Sequence, residues 1–153
     1  MRSGRRVAID VGTVRIGVAA CDMHAILASG VTTITRKSSI EDTCQELVSV
    51  IKEIEPIEIY VGLPIALSGR ETASTTDAVE LAKHLASLTD IEVRMVDERM
   101  TTVTATNALR SSDRSSKSGR KVIDQIAATI ILEQAMSFEK NTGQQPGESL
   151  ENF

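Results

Sequence analysis

With 153 residues, the chain has the size at which one domain is the ordinary outcome and roughly two thirds of the unfolded surface is buried on folding. Hydrophobic residues make up 41% and charged residues 25%, but aromatics only 2% with no Trp, so the core has to be built from Ile, Val, Leu and Ala. The net charge of −4 argues against a protein that coats nucleic acid through overall charge, and the apolar-rich stretch Ile126 to Leu132 runs for seven residues, far short of the roughly 20 that cross a bilayer.

In chain order, Val7 to Asp10 and Arg15 to Cys21 read as two short strands joined by a turn in which Gly12 supplies freedom. A third strand falls within Ala25 to Thr35, rich in Val, Ile and Thr. Ile40, Cys44, Leu47, Ile51 and Ile54 recur at helical spacing, and Pro56 ends that helix. Ile57 to Val61 is a strand cut off by Gly62-Leu63-Pro64. A second helix puts Ala78, Leu81, Ala82 and Leu85 on its inner face, and the strand Ile91 to Val96 follows. Thr101 is placed to cap a third helix reaching about Leu109. A Ser-, Lys- and Arg-rich loop covers Ser111 to Gly119, and an Ile- and Ala-rich helix runs from about Lys121 to Ser137. The expectation is one domain over residues 1–137 and a polar, disordered tail over 138–153.

Charge is unevenly spread. Arg110, Arg114, Lys117, Arg120 and Lys121 stand against the single acid Asp113, while six acids between Glu41 and Glu58 face only Lys52. Cys21 and Cys44 have neither a cysteine nor a histidine at ligand spacing, and the first residues do not form a signal-peptide pattern, which reads as a reduced, cytoplasmic protein. His24 and His84 have no partner at metal or triad spacing.

Three strands followed by alternating strand and helix specify a mixed α/β sheet with helices on its faces. Ligands of such sheets gather beyond the carboxyl ends of the parallel strands. That edge would collect Asp10, Gly62-Leu63-Pro64 and Asp97-Glu98-Arg99. Two carboxylates ~4 Å apart at an effective dielectric of ~20 repel by ~4 kcal/mol, which calls for a proton or a cation. Oxygen ligands suit Mg²⁺ or Mn²⁺, and a pair of such ions is the means by which many nucleases cut phosphodiesters. A further acid is available in Asp124, whose neighbours along the helix face are Ala127, Ala128 and Ile131. Adjacent residues of a strand point to opposite faces, so only one of Asp97 and Glu98 enters the site; Glu98 has the longer reach. Each acid alone also fits a blander role: Asp10 as a turn residue, Asp124 as a helix-dipole partner, Asp97-Glu98-Arg99 as a surface ion pair.

Four segments, "DVGTVRIGVA" from Asp10, "VGLPIALSG" from Val61, "DERMTT" from Asp97 and "KVIDQIAA" from Lys121, resemble in order and spacing the bacterial YqgF/RuvX family of Holliday junction resolvases. The resemblance covers about Arg5 to Leu132. It implies an RNase H-like fold with a five-stranded mixed sheet flanked by helices, and a metal-dependent nuclease using Mg²⁺ or Mn²⁺. The activities it implies are 5′-end maturation of the small-subunit ribosomal RNA precursor or cleavage of four-way DNA junctions. By motif, Asp10, Glu98 and Asp124 match the acidic triad, and Arg15, Arg99, Thr101 and Thr102 match its companions. Asp10 would bridge the metals, Glu98 and Asp124 would hold one each, and Arg15 or Arg99 would face the scissile phosphate. Met100 stands where Leu or Phe is more usual in the family.

The expected partners are therefore a structured RNA precursor or branched DNA, with the ribosomal subunit as a further one. Phosphates would be met by the basic residues Arg114, Lys117, Arg120 and Lys121. With Tyr60, Phe138 and Phe153 as the aromatics, no base-stacking platform is evident, so recognition would use backbone and shape. No segment marks an oligomer interface. Two rivals share the fold: a phosphate-binding domain of the sugar-kinase, Hsp70 and actin type, which needs two such domains, and a non-catalytic nucleic-acid or ribosome-associated protein.

Overall fold

The computed structural model describes the backbone of residues 1–66, 68–100 and 117–153, with side chains for all of these except 100 and 117–121. The helix expected at Thr101 to Leu109 and the basic loop up to residue 116 lie outside the described residues. The strands are β1 (Arg6–Val11), β2 (Arg15–Cys21), β3 (Ala28–Thr35), β4 (Glu58–Leu63), β5 (Glu92–Asp97) and β6 (Glu148–Ser149). The described helices are α1 (Ile40–Ile54), α2 (Ala73–Ser87) and α3 (Lys117–Thr142).

All strands join one sheet in the order β3-β2-β1-β4-β5-β6. β1, β2 and β3 form an antiparallel meander, β4 and β5 run parallel to β1, and the two-residue β6 closes the far edge antiparallel to β5. The expected five-stranded mixed sheet is present, and β6 adds a sixth strand.

Side chains alternate across this sheet with the period of two that strands impose. Val7, Ile9, Ile59, Val61, Val93 and Met95 pack with Leu47, Ile51, Leu81 and Leu85 in the α1 and α2 layer. Ala8, Ala19, Tyr60 and Val96 pack with Ala127, Ala128, Ile131 and Leu132 in the α3 layer. The alanines on both sides let α3 lie close to the strands. α1 starts where Ser39 accepts the Asp42 N–H at 3.1 Å, and it stops at Glu55, left-handed at φ 54°, because Pro56 disfavours a further helical residue. α2 opens with a reciprocal cap between Thr72 and Thr75.

The C-terminal part differs from the expectation. α3 begins at Lys117, inside the segment read as loop, and continues past Ser137 to Thr142. There Gly143, at φ 70°, returns its N–H to the Glu139 carbonyl at 2.7 Å. The polar composition of this segment suggested a tail, yet Glu139 is a buried residue of the fold. It accepts from Arg6 at 3.0 Å and from Arg2 at 2.6 Å, and Arg2 also bonds Glu58, which receives the Tyr60 hydroxyl at 2.8 Å. Burial acts to raise the Glu139 pKa, but the Arg2 hydrogen bonds and the Arg6 charge outweigh it and hold the group at about 2. Beyond Gly147, β6 pairs with Arg94 and Met95, and Leu150 and Phe153 pack against the α1 and α2 layer. This segment pairs with backbone groups of the β5 edge and places apolar side chains against the core.

Candidate active site

Because β1, β4 and β5 are parallel neighbours, their carboxyl ends share one edge of the sheet. β1 ends with Asp10 and Val11, β4 with Gly62 and Leu63, and β5 with Asp97, followed by a single 3₁₀ turn, Glu98–Met100. Alternation along β5 and the contact of Glu98 with Gly62 separate the two acids at its end. Met95 faces α1 and α2 whereas Val96 faces α3, so Asp97 belongs to the first face and Glu98 to the second. Asp97 is occupied by Arg99, whose backbone N–H donates at 2.8 Å and whose guanidinium donates at 2.7 Å. Burial works against ionisation of Asp97, but Arg99 prevails and its pKa is lowered. Glu98 is 6% exposed and folds back over Gly62, where a Cβ would collide with Glu98 Oε1 and with Ile131.

The third acid is brought in by α3, by way of a glycine. Asp10 pairs in register with Gly17 of β2. The backbone of Asp124 lies over Gly17 so closely that any side chain there would strike the Asp124 carbonyl. A Cβ at Gly30 of β3 would likewise sit 2.6 Å from Gln125 Oε1. These two gaps let the start of α3 rest on β2 and β3. Asp10 and Asp124 are consequently 3% and 1% exposed, side by side on one face. Arg15 Nε donates to Asp124 Oδ2 at 2.8 Å, a charge-assisted bond in a partly dry setting.

Asp10, Glu98 and Asp124 line one cavity of about 370 Å³, together with the turn 11–15, Pro64 and Ser74. Gly12 does not adopt a left-handed conformation. It is required because a Cβ would approach the Arg15 carbonyl to 2.5 Å, and the Gly12 N–H donates to that carbonyl at 3.0 Å. The Pro64 wall is held by the Thr75 hydroxyl, which donates to the Pro64 carbonyl at the start of α2.

Of the remaining expected residues, Arg15 lines the cavity, while Arg99 is turned to Asp97. Thr101, Thr102 and Arg114 lie outside the described residues. The backbone places Lys117, Arg120 and Lys121 in the first turns of α3, the end that carries Asp124. Gly17, Ser74 and the Arg36–Asp77 pair were not singled out from the sequence. A glycine inside the strand "RIGVAAC" was the available signal for Gly17, since such a residue often marks a close backbone approach.

Residues 4–137 match the family model described as RuvX, Holliday junction resolvase. The chain belongs to the RuvX family. Its relatives include a Clavibacter sepedonicus protein, 48% identical over 96% of this chain and 91% of that one, and a Streptomyces coelicolor protein, 47% identical over 99% and 90%. Both carry the name "Putative pre-16S rRNA nuclease". Among solved structures, Thermus thermophilus RuvC superimposes with a TM-score of 0.55 at 14% identity, over 90% of this chain and 97% of that one. A T. thermophilus RuvC complex with a Holliday junction substrate gives 0.57 at 12% identity, over 90% and 96%. At this identity the likeness concerns the fold, and it agrees with an RNase H-like sheet.

Proposed function

We propose that this RuvX-family chain hydrolyses phosphodiester bonds in a structured nucleic acid, with the 5′ extension of the small-subunit ribosomal RNA precursor as its substrate. The observation that carries this reading is the convergence of Asp10, Glu98 and Asp124, each nearly excluded from solvent, on one cavity floored by a glycine turn. Three carboxylates gathered on one buried cavity favour positive charge beside them.

The donor set is all carboxylate, which suits Mg²⁺ or Mn²⁺. Among the described residues no three Asp, Glu, His or Cys side chains are already arranged to hold a metal ion, and Arg15 neutralises Asp124 in their place. Asp10, Glu98 and Asp124 would hold the metal, with Asp124 releasing Arg15 as they do so. A divalent cation supplies an activated water and a countercharge for the phosphorane-like transition state. Asp10, fixed at the end of a central strand, provides the rigid point of the site. Arg15, freed from Asp124, is within the same cavity and would bind a non-bridging phosphate oxygen. Arg114, Lys117, Arg120 and Lys121 would carry phosphates on either side of the cut. The protein would act in the cytoplasm, where the buried thiols of Cys21 and Cys44 stay reduced.

A second reading, a four-way DNA junction as substrate, is favoured by the family description and by the shared fold with RuvC. The deciding experiment offers purified protein a 5′-extended ribosomal RNA precursor and a four-way DNA junction side by side, with Mg²⁺ or Mn²⁺ and with Asp10→Asn as control. Cleavage of the RNA alone supports the first reading and cleavage of the junction alone the second. Cleavage that survives Asp10→Asn, or binding without any cleavage, overturns the catalytic assignment.

A further inference from the structure

A half-buried ion pair at the end of β3 reaches back to the turn that floors the cavity. Arg36 directly follows β3, the edge strand, and its side chain is 15% exposed. Its guanidinium forks onto Asp77 of α2, with Nη1 to Oδ2 at 2.6 Å and Nη2 to Oδ1 at 3.0 Å. The same Nη1 donates to the Gly12 carbonyl at 3.1 Å, and the Arg36 backbone N–H donates to the Val14 carbonyl at 2.8 Å. One residue therefore grips the turn between β1 and β2 at two points and ties it to α2.

One end of this tie is a wall of the cavity and the other adjoins one. Gly12 and Val14 lie between Asp10 and Arg15, and Ser74 sits one helical turn before Asp77. A neighbouring cleft of about 600 Å³ is lined by Arg36, Lys37, Thr13, Val14, Ser74 and Asp77. A phosphate contact by Arg36 in that cleft is disfavoured, because the forked pair with Asp77 already neutralises its charge and fixes its orientation. Holding Gly12 and Val14 still, in contrast, fixes the direction in which Arg15 leaves the turn toward Asp124.

We infer that Arg36 is a positioning residue for this site: clamped by Asp77, it sets the spacing between the 12–15 turn and α2, and so the placement of Asp10 and Arg15. The inference rests on the nuclease reading of the cavity. Partners that bond a metal ligand directly are worth about 10- to 100-fold in metal affinity or activity. Arg36 acts one step further out, through the backbone that flanks Asp10 and Arg15, and its loss is expected toward the lower end of that range. Lysine cannot reproduce the arrangement, since it has one nitrogen to divide between Asp77 and Gly12.

The test measures Arg36→Ala, Arg36→Lys, Asp77→Asn and the double variant Arg36→Ala/Asp77→Asn. The readouts are single-substrate kinetics with Mn²⁺ on the RNA or junction that the wild type cleaves, and Mn²⁺ binding by calorimetry without substrate. Expected are a kcat lowered about 10-fold with KM within about twofold, a weaker Mn²⁺ affinity, and a double variant no worse than Arg36→Ala. A change confined to KM makes Arg36 a substrate contact and overturns the inference, as does Mn²⁺ affinity and kcat equal to wild type in a folded variant. If Arg36→Ala does not fold, Asp77→Asn and Arg36→Lys decide in the same way. If the wild type cleaves neither substrate the nuclease reading fails, and the Mn²⁺ titration still decides the role of Arg36.

Discussion

The Asp124 backbone rests on Gly17, and Gly17 is the cross-strand partner of Asp10. This single approach brings together two acids separated by more than a hundred residues of chain. It converts a glycine that looks dispensable in a strand into a determinant of the cavity. Gly17→Ala should push α3 away from β2, costing about 1–3 kcal/mol through overpacking. Urea unfolding would show a lowered midpoint, and any cleavage should fall more than the stability loss alone explains. Wild-type activity in Gly17→Ala would mean that the placement of Asp124 is unimportant.

The division of labour between Asp97 and Glu98 gives a sharper comparison. Asp97 is engaged by Arg99 on a half-exposed surface, whereas Glu98 faces the cavity. Asp97→Asn should keep cleavage within a few-fold of wild type, and Glu98→Gln should reduce it by about a hundredfold or more, on the scale of losing a key group in the transition state. The rates are compared at saturating Mn²⁺, with circular dichroism to confirm folding. Equal losses would contradict the assignment of the two acids to opposite faces.

Chelation offers a direct check on the cation requirement. Dialysis against EDTA should abolish cleavage, and Mg²⁺ or Mn²⁺ should restore it while Ca²⁺ should not, since a larger ion with looser coordination positions the reacting oxygens poorly. Full activity in EDTA would exclude a site built on Asp10, Glu98 and Asp124 acting through a metal.

At the other end of α3, the acid pH range should reveal the Arg2–Glu139–Arg6 network. The Glu139 pKa is lowered, to about 2, so its stabilisation is complete above the ordinary carboxylate pKa and disappears as pH falls through the folded value. Glu139→Gln strands the buried Arg6 and should cost about 3–5 kcal/mol at pH 7. The gap between the two proteins should narrow from about pH 4.5 downward as the wild-type group takes up its proton. Chemical unfolding at several pH values between 7 and 2 measures it, and a constant gap would contradict the network.

Neutralising Arg114, Lys117 and Arg120 should weaken nucleic-acid binding uniformly across sequences. On duplex DNA, the slope of log affinity against log salt should flatten by about 0.9 for each phosphate that is no longer neutralised. An unchanged slope would take these residues out of the binding surface.

Much of the frame could be read from residue order. Val7, Ile9, Ile59 and Val61 announced central strands by their apolar runs, and Leu47, Ile51, Leu81 and Leu85 announced the helices covering one face by their spacing. Asp10, Glu98 and Asp124 were legible as candidates because strand ends that share one edge, and a helix lined with alanines, gather acids that singly would pass for turn or helix-end residues. The C-terminal segment was not legible in this way. Its polar composition hid a helix end at Gly143 and an edge strand, since Glu139 is buried only because Arg2 and Arg6, at the far end of the chain, neutralise it.

What the sequence determined by itself is local: which residues are apolar with which period, and where an acid or a glycine interrupts the pattern. What only the tertiary structure decided is which interruptions meet. Gly17 matters because a helix from the last third of the chain passes over it, and Arg36 because Asp77 and Gly12 come within reach of one guanidinium. Such meetings depend on how layers stack rather than on neighbouring residues, and close packing and planar, two-pronged hydrogen bonding leave no period in the sequence to read.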